Sequence, residues 1–212
     1  MPSKSPDRRH SLSYRVLFRG LRWLIGRVVH YYGPVRYVGG NQVPRTGAVL
    51  VVANHLADVD PIVLQIGCPR GVHFMAKEEL FALRGIGAFM RWCGTFPVRR
   101  GVPDRPAIRH ALDLLAAGEA VGVFPEGQLS VSGQLQTLLP GVALLIRSSG
   151  TPVVCAGIAG TPRMMPYGET RPRRARGGVA VIWGTPHSFP PDATTATIMT
   201  WIEAELHRLG AP

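Results

Sequence analysis

Ala48-Val49-Leu50-Val51-Val52-Ala53-Asn54-His55-Leu56-Ala57-Asp58-Val59-Asp60-Pro61 decides how the rest of the chain is read. Its first six residues are apolar at both alternating positions, the pattern of a strand covered on both sides and hence of a parallel sheet between helices. The run then delivers a histidine and two aspartates. In open α/β sheets the carboxyl ends of the strands are where ligands bind, so a buried strand here leads straight into residues able to move protons.

Working outward, further apolar runs at 72–76, 95–98, 120–124, 152–158 and 179–183 read as strands. Helical stretches lie between them. Asp104 before Arg105-Pro106 predicts a capped helix reaching to about 117 and stopped by Gly118. Residues 140–149 and 192–209 predict two more, and the Arg-, Pro- and Gly-rich segment 170–178 reads as a basic loop. The alternation of strands and helices predicts a single α/β domain with a largely parallel sheet flanked by helices.

Before that domain, 11–32 has a helical period, with Leu17, Phe18, Leu21, Leu24, Ile25, Val28 and Val29 at three- and four-residue steps. Arg15, Arg19 and Arg22 fall on another face, and Trp23 and tyrosines lie near the ends. Such an N-terminal amphipathic helix has the make-up of a segment lying in a bilayer interface; a surface helix packed on the domain fits the same spacing. The expected division is 1–35 as a basic membrane-associating segment and 36–212 as the folded domain.

The chain has 212 residues, a formal charge of +11 and only 17% charged residues, which describes a folding chain drawn to polyanions rather than a disordered one. Nucleic acid is not expected as a partner, because no reading module and no row of stacking aromatics accompanies the charge. Cys68, Cys93 and Cys155 are scattered without a C-x-x-C pair, which suits a reducing compartment. The opening residues lack the form of a secretory leader, and no uncharged apolar run reaches the roughly 18 residues of a spanning helix.

A histidine with an ordinary pKa of about 6.5 can take a proton from a hydroxyl at neutral pH, and a nearby carboxylate can fix its tautomer. His55 and Asp60 are the candidates. Asp60 followed by Pro61 is equally how a helix begins, with the acid as cap and the proline in the first turn. Alone, a His and an Asp five places apart are weak evidence.

Further blocks follow in order: Phe74-Met75-Ala76-Lys77-Glu78-Glu79-Leu80, Gly94-Thr95-Phe96-Pro97-Val98-Arg99-Arg100, Val123-Phe124-Pro125-Glu126-Gly127-Gln128-Leu129-Ser130, and Thr151-Pro152-Val153-Val154. With Asn54-His55 through Asp60, they resemble the motifs of the glycerolipid acyltransferase family that includes bacterial 1-acylglycerol-3-phosphate acyltransferases. The likeness to N-H-x-x-x-x-D, K-x-E-L, G-x-x-P-V-x-R, F-P-E-G-T-R-S and V-P-V covers roughly 35–183. It implies an α/β enzyme that moves a fatty acyl group from acyl-CoA or acyl carrier protein to a lysophospholipid hydroxyl, most simply that of 1-acylglycerol-3-phosphate.

By that resemblance His55 is the base and Asp60 its orienting acid, with no cofactor and no metal. Asn54, Lys77, Arg100, Glu126 and Gly127 are expected to bind substrate, the two cations meeting phosphate, with Glu126 alternatively orienting Arg100. The chain departs from the pattern at Leu129, where the family usually has arginine. Arg99 or an arginine of the 171–176 loop is a candidate replacement, and an amino-lipid, another lysophospholipid or a glycolipid becomes a rival acceptor. The resemblance places the protein peripherally on the cytoplasmic face of a membrane, with oligomeric state open. A non-catalytic basic binding protein is the alternative from another class.

Overall fold

The computed structural model describes residues 11–99, 101–102, 104–169 and 171–212. Its strands are β1 (Val35–Val38), β2 (Val49–Ala53), β3 (His73–Lys77), β4 (Phe96–Val98), β5 (Ala120–Val123), β6 (Val153–Ala159) and β7 (Val179–Trp183). They form one sheet in the order β1-β7-β6-β2-β5-β3-β4. Every pairing is parallel except β6 with β7. The largely parallel α/β domain expected from the sequence is therefore what the chain forms.

The helices are α1 (Leu12–Tyr32), α2 (Asp60–Gly67), α3 (Ile86–Trp92), α4 (Arg105–Ala116), α5 (Gly141–Ser149), α6 (Thr161–Met164) and α7 (Thr195–Arg208). Two apolar layers sandwich the sheet. Val49, Val51 and Ala53 of β2 face one layer with Val29 of α1, Val63 and Leu64 of α2 and Met164 of α6. Leu50 and Val52 face the other, with Ala111 and Leu115 of α4, Leu145 and Ile146 of α5 and Ile198 and Ile202 of α7. All five β2 residues are wholly buried, which explains why neither alternating set could be polar.

Asp104 caps α4 as expected, its Oδ1 accepting a bond from the Ala107 N–H at 3.1 Å, and Pro106 sits in the first turn. β1 was not expected. Its four residues, Val35-Arg36-Tyr37-Val38, are half-exposed at the sheet edge, and four residues alternate too briefly to stand out between Gly33-Pro34 and Gly39-Gly40.

The apolar stripe expected along α1 divides in two. Phe18 and Val29 are buried, and Leu21, Ile25 and Tyr32 are half-buried on the same face; Val29, Ile25 and Tyr32 pack into the layer shared with α2 and the sheet, and Phe18 packs on Trp92 of α3. Leu17, Leu24, Val28 and Tyr31 stay exposed on a second flank, and Leu12, Val16 and Trp23 are exposed on the outward side. A third flank carries Arg15, Arg19 and Arg22. The helix is also tied by polar contacts, with the Tyr14 hydroxyl donating to the Trp92 carbonyl at 2.9 Å and Arg22 donating to the Ile66 and Cys68 carbonyls at 3.2 and 2.8 Å.

Candidate active site

β2 lies near the middle of the sheet, between β6 and β5, and the chain leaves its carboxyl end at Asn54. That side chain is wholly buried, and both its ends bond the backbone of Ile158 on β6: Oδ1 accepts from the N–H at 2.7 Å and Nδ2 donates to the carbonyl at 2.9 Å. Asn54 thus fixes where β2 ends, with no exposed surface to offer a substrate.

His55 follows. Its Nδ1 lies 2.9 Å from Asp60 Oδ2. The same oxygen accepts the main-chain N–H groups of Leu56 and Ala57 at 2.6 and 2.8 Å. Asp60 is the first residue of α2, yet its carboxylate turns back to hold the 55–57 turn instead of capping the helix; the cap position is Val59, which has no capping side chain. The expected cap role is corrected accordingly, while Pro61 does occupy the first turn. With Nδ1 donating to a carboxylate, Nε2 is left as the ring's acceptor nitrogen, and it has no hydrogen-bond partner among the described residues.

The ring is stacked on Phe124 at the end of β5, centroids 4.1 Å apart and planes 18° apart. Phe124 is in turn stacked with Phe74 of β3 at 5.9 Å. The main chain of His55 is gripped on both sides by the segment after β5. Its N–H donates to Glu126 Oε1 at 2.6 Å, and its carbonyl accepts the Ser130 N–H at 2.8 Å. Glu126 Oε2 accepts from the Gln136 N–H at 3.0 Å, and the Gln136 side chain donates to the Leu129 carbonyl at 3.0 Å.

Glu126 is only 4% exposed. Burial pushes its carboxyl above the ordinary carboxylate range, the N–H bonds from His55 and Gln136 and the nearby His55 ring pull it back, and Asp60 pushes it up again. The two Glu126 oxygens are taken up by the main-chain N–H groups of His55 and Gln136. Gly127 has φ +70°, and a Cβ there would meet Leu139 Cδ1 at 2.6 Å, so the turn that aims Glu126 is written in glycine.

Lys77 ends β3 and Arg99 follows β4, at the same end of the parallel strands as His55. With strands spaced about 4.8 Å apart, β3 and β4 lie roughly 10 and 14 Å across the sheet from β2. Lys77 Nζ is half-exposed, 3.3 Å from Glu79. Arg99 Nε lies 3.7 Å from Asp104 Oδ2, which also accepts the Arg99 N–H at 2.8 Å. Arg100 lies outside the described residues. In the 171–176 loop Arg173 pairs with Glu169 and Arg174 stacks over Tyr31. Among the described residues no group of three His, Cys, Asp or Glu is arranged to hold a metal ion.

Sequence reasoning found His55 and Asp60 but not Ser130, Gln136 or Phe124 as their supports. Ser130 and Phe124 meet His55, and Gln136 meets Glu126, only through the sheet order that sets β5 beside β2.

A family model described as Acyltransferase matches residues 34–159. The chain is 36% identical over 96 residues to the 1-acyl-sn-glycerol-3-phosphate acyltransferase of Bacillus subtilis, an alignment covering 45% of this chain and 48% of that one. It is 31% identical over 110 residues to the protein of the same name from Streptococcus pneumoniae, covering 50% and 39%. The chain thus spans half or less of the length of these curated relatives. Its fold is similar to the crystal structure of PlsC, the 1-acyl-sn-glycerophosphate (LPA) acyltransferase of Thermotoga maritima, with a TM-score of 0.80 and 25% identity over 97% of this chain and 82% of that one.

Proposed function

The chain belongs to the acyltransferase family, whose model covers 34–159, and on that premise we propose that it transfers a fatty acyl group from a thioester to the hydroxyl of a lysophospholipid. The observation that carries this is the 2.9 Å contact between His55 Nδ1 and Asp60 Oδ2, which leaves Nε2 free to act as a base. Nε2 takes the acceptor's hydroxyl proton as the oxygen attacks the thioester carbonyl. A C–O bond forms, the tetrahedral intermediate collapses with cleavage of the C–S bond, and the imidazolium returns its proton to the departing thiolate. Asp60 stabilises the imidazolium between these steps.

A thioester is already activated, so the remaining work is positioning. Glu126 and Ser130 hold the main chain of His55, Asn54 fixes the strand end just before it, and the turn at Gly127 aims Glu126. Lys77, Arg99 and Arg100 supply positive charge for an acceptor phosphate. The preferred acceptor is 1-acylglycerol-3-phosphate, the donor acyl-CoA or acyl carrier protein, and no cofactor enters the reaction. The chain works peripherally at the cytoplasmic face of a membrane, with the segment through α1 as its contact. No helix among the described residues is long and apolar enough to cross a bilayer.

Leu129 favours a second reading. A phosphate site lacking one arginine loses a charge-assisted contact worth a few kcal/mol unless another cation replaces it, so an acceptor with a different head group competes. Mass spectrometry of the lipids formed from a mixed pool of lysolipid acceptors tests both. Phosphatidic acid as main product supports the first reading, another acylated lipid the second, and no acylated product from any donor contradicts the enzyme.

A further inference from the structure

At the opposite end of the sheet from His55, a groove of about 1130 Å³ runs between α1 and the starts of β2, β3 and β5. Its floor includes Gly47, Val72 and Glu119, each just before or at the start of a strand. β2 separates this floor from His55 by roughly 17 Å at 3.3 to 3.4 Å per residue. The groove is therefore distinct from the acyl-transfer site.

Among the described residues six arginines line it, Arg15, Arg19, Arg22, Arg27, Arg45 and Arg70, against one acid, Glu119. Two are built in. Arg70 has a side chain only 13% exposed, donates to the Gly47 and Gly118 carbonyls and lies 3.7 Å from Glu119. Arg22 spends its donors on the Ile66 and Cys68 carbonyls, which bring no full negative charge. Arg15, Arg19, Arg27 and Arg45 are exposed and form no ion pair with any described residue. Gathering so many like charges in a concave surface costs energy unless an anion joins them.

The occupant is indicated by what lies next to the groove. Trp23 on its edge is 69% exposed, and Leu12 and Val16, which the helical period sets on the same side of α1, are exposed at 76% and 62%. A helix with an apolar flank, an aromatic at the boundary and arginines below suits the acyl-to-headgroup boundary of a bilayer. We infer that this groove binds the phosphate of an anionic lipid headgroup as a second lipid site, apart from the acceptor's. The inference goes beyond acyl transfer and shares with the proposed function only the lipid surface.

The test is sedimentation of the whole chain with phosphatidylcholine vesicles containing a minority of phosphatidylglycerol. The variant Arg15→Gln/Arg19→Gln/Arg45→Gln removes three arginines with no ion pair to a described residue. Its affinity is expected to fall about fivefold per arginine, roughly a hundredfold in all. The control Arg105→Gln/Arg109→Gln/Arg147→Gln removes equal charge from the helices on the other face of the sheet, and is expected to bind within about threefold of the parent.

Equal weakening of both variants would overturn the site in favour of diffuse charge. Saturable binding of inorganic phosphate that the first variant abolishes, without preference for anionic vesicles, would overturn the lipid assignment. Arg19→Gln and Arg45→Gln, from opposite walls, replace the triple variant should it fail to fold. Binding is read without turnover, and His55→Ala is expected to bind vesicles like the parent, so failure here and failure of the acyltransferase reading are separable.

Discussion

The main-chain N–H of His55 donates to Glu126 Oε1 at 2.6 Å across 71 residues of sequence. The other Glu126 oxygen holds the Gln136 N–H, so one carboxylate joins His55 to the loop beyond β5. Glu126→Gln presents an NH2 to one of those two N–H groups, and one bond is lost. The expected result is about a tenfold fall in kcat with KM little changed, since His55 is misplaced while Lys77 and Arg99, the cations proposed for the head group, are untouched. Steady-state kinetics of the purified variant check this.

The same residue makes a prediction in pH. Burial holds the Glu126 carboxyl above its ordinary range, and a carboxyl whose folded pKa exceeds its unfolded value contributes stability that is complete below the unfolded pKa, about 4.3, and is lost as pH rises through the folded one. Urea unfolding at stepped pH from 4 upward should therefore show the parent losing stability relative to Glu126→Gln. A relative gain with rising pH would contradict the raised carboxyl.

Asp104 works in the reverse sense. The N–H of Arg99, above all, draws its carboxyl below the ordinary value, followed among the lowering causes by the N–H of Ala107. Its contribution is present above the unfolded pKa and disappears as pH falls through the folded one. Asp104→Ala should cost about 1 kcal/mol of stability at neutral pH through loss of the α4 cap, and the difference should shrink in acid. Thermal unfolding at neutral and acidic pH measures both.

Gly127→Ala places a Cβ at φ +70° against Leu139 Cδ1. Leu139 is 53% exposed and can swing aside, so the left-handed backbone is what remains to be overcome. That predicts a loss of about 1–2 kcal/mol in urea unfolding and an accompanying fall in kcat, because the turn aims Glu126 at His55.

The exposed flank of α1 predicts a variant that separates membrane contact from folding. Deleting the helix would strip Phe18 and Val29 from the core as well as the surface residues. Leu17→Ser/Leu24→Ser/Val28→Ser leaves the inward face intact, and should change the unfolding midpoint little while reducing vesicle sedimentation severalfold.

The α/β plan was legible in the sequence because β2, β5 and β6 are apolar on both faces, a pattern few other structures require. His55 and Asp60 were legible because their partnership is local, five residues apart within one turn. What holds them was not. The Glu126 and Ser130 contacts with the His55 main chain arise only when β5 pairs with β2, and the motif that sets Asn54 among the substrate residues does not show that both its ends bond the Ile158 backbone. The arginine groove needs α1 folded over the strand starts, an arrangement that helical periodicity alone does not encode.

The role of His55 as base is tested most directly by the turnover of His55→Ala with saturating thioester donor and lysophospholipid acceptor, on protein shown to be folded by its unfolding midpoint. Loss of about a thousandfold or more in kcat is predicted. Retention of more than about a tenth of the parent's activity by the folded variant would contradict it, since general-base catalysis of this kind contributes at least a hundredfold.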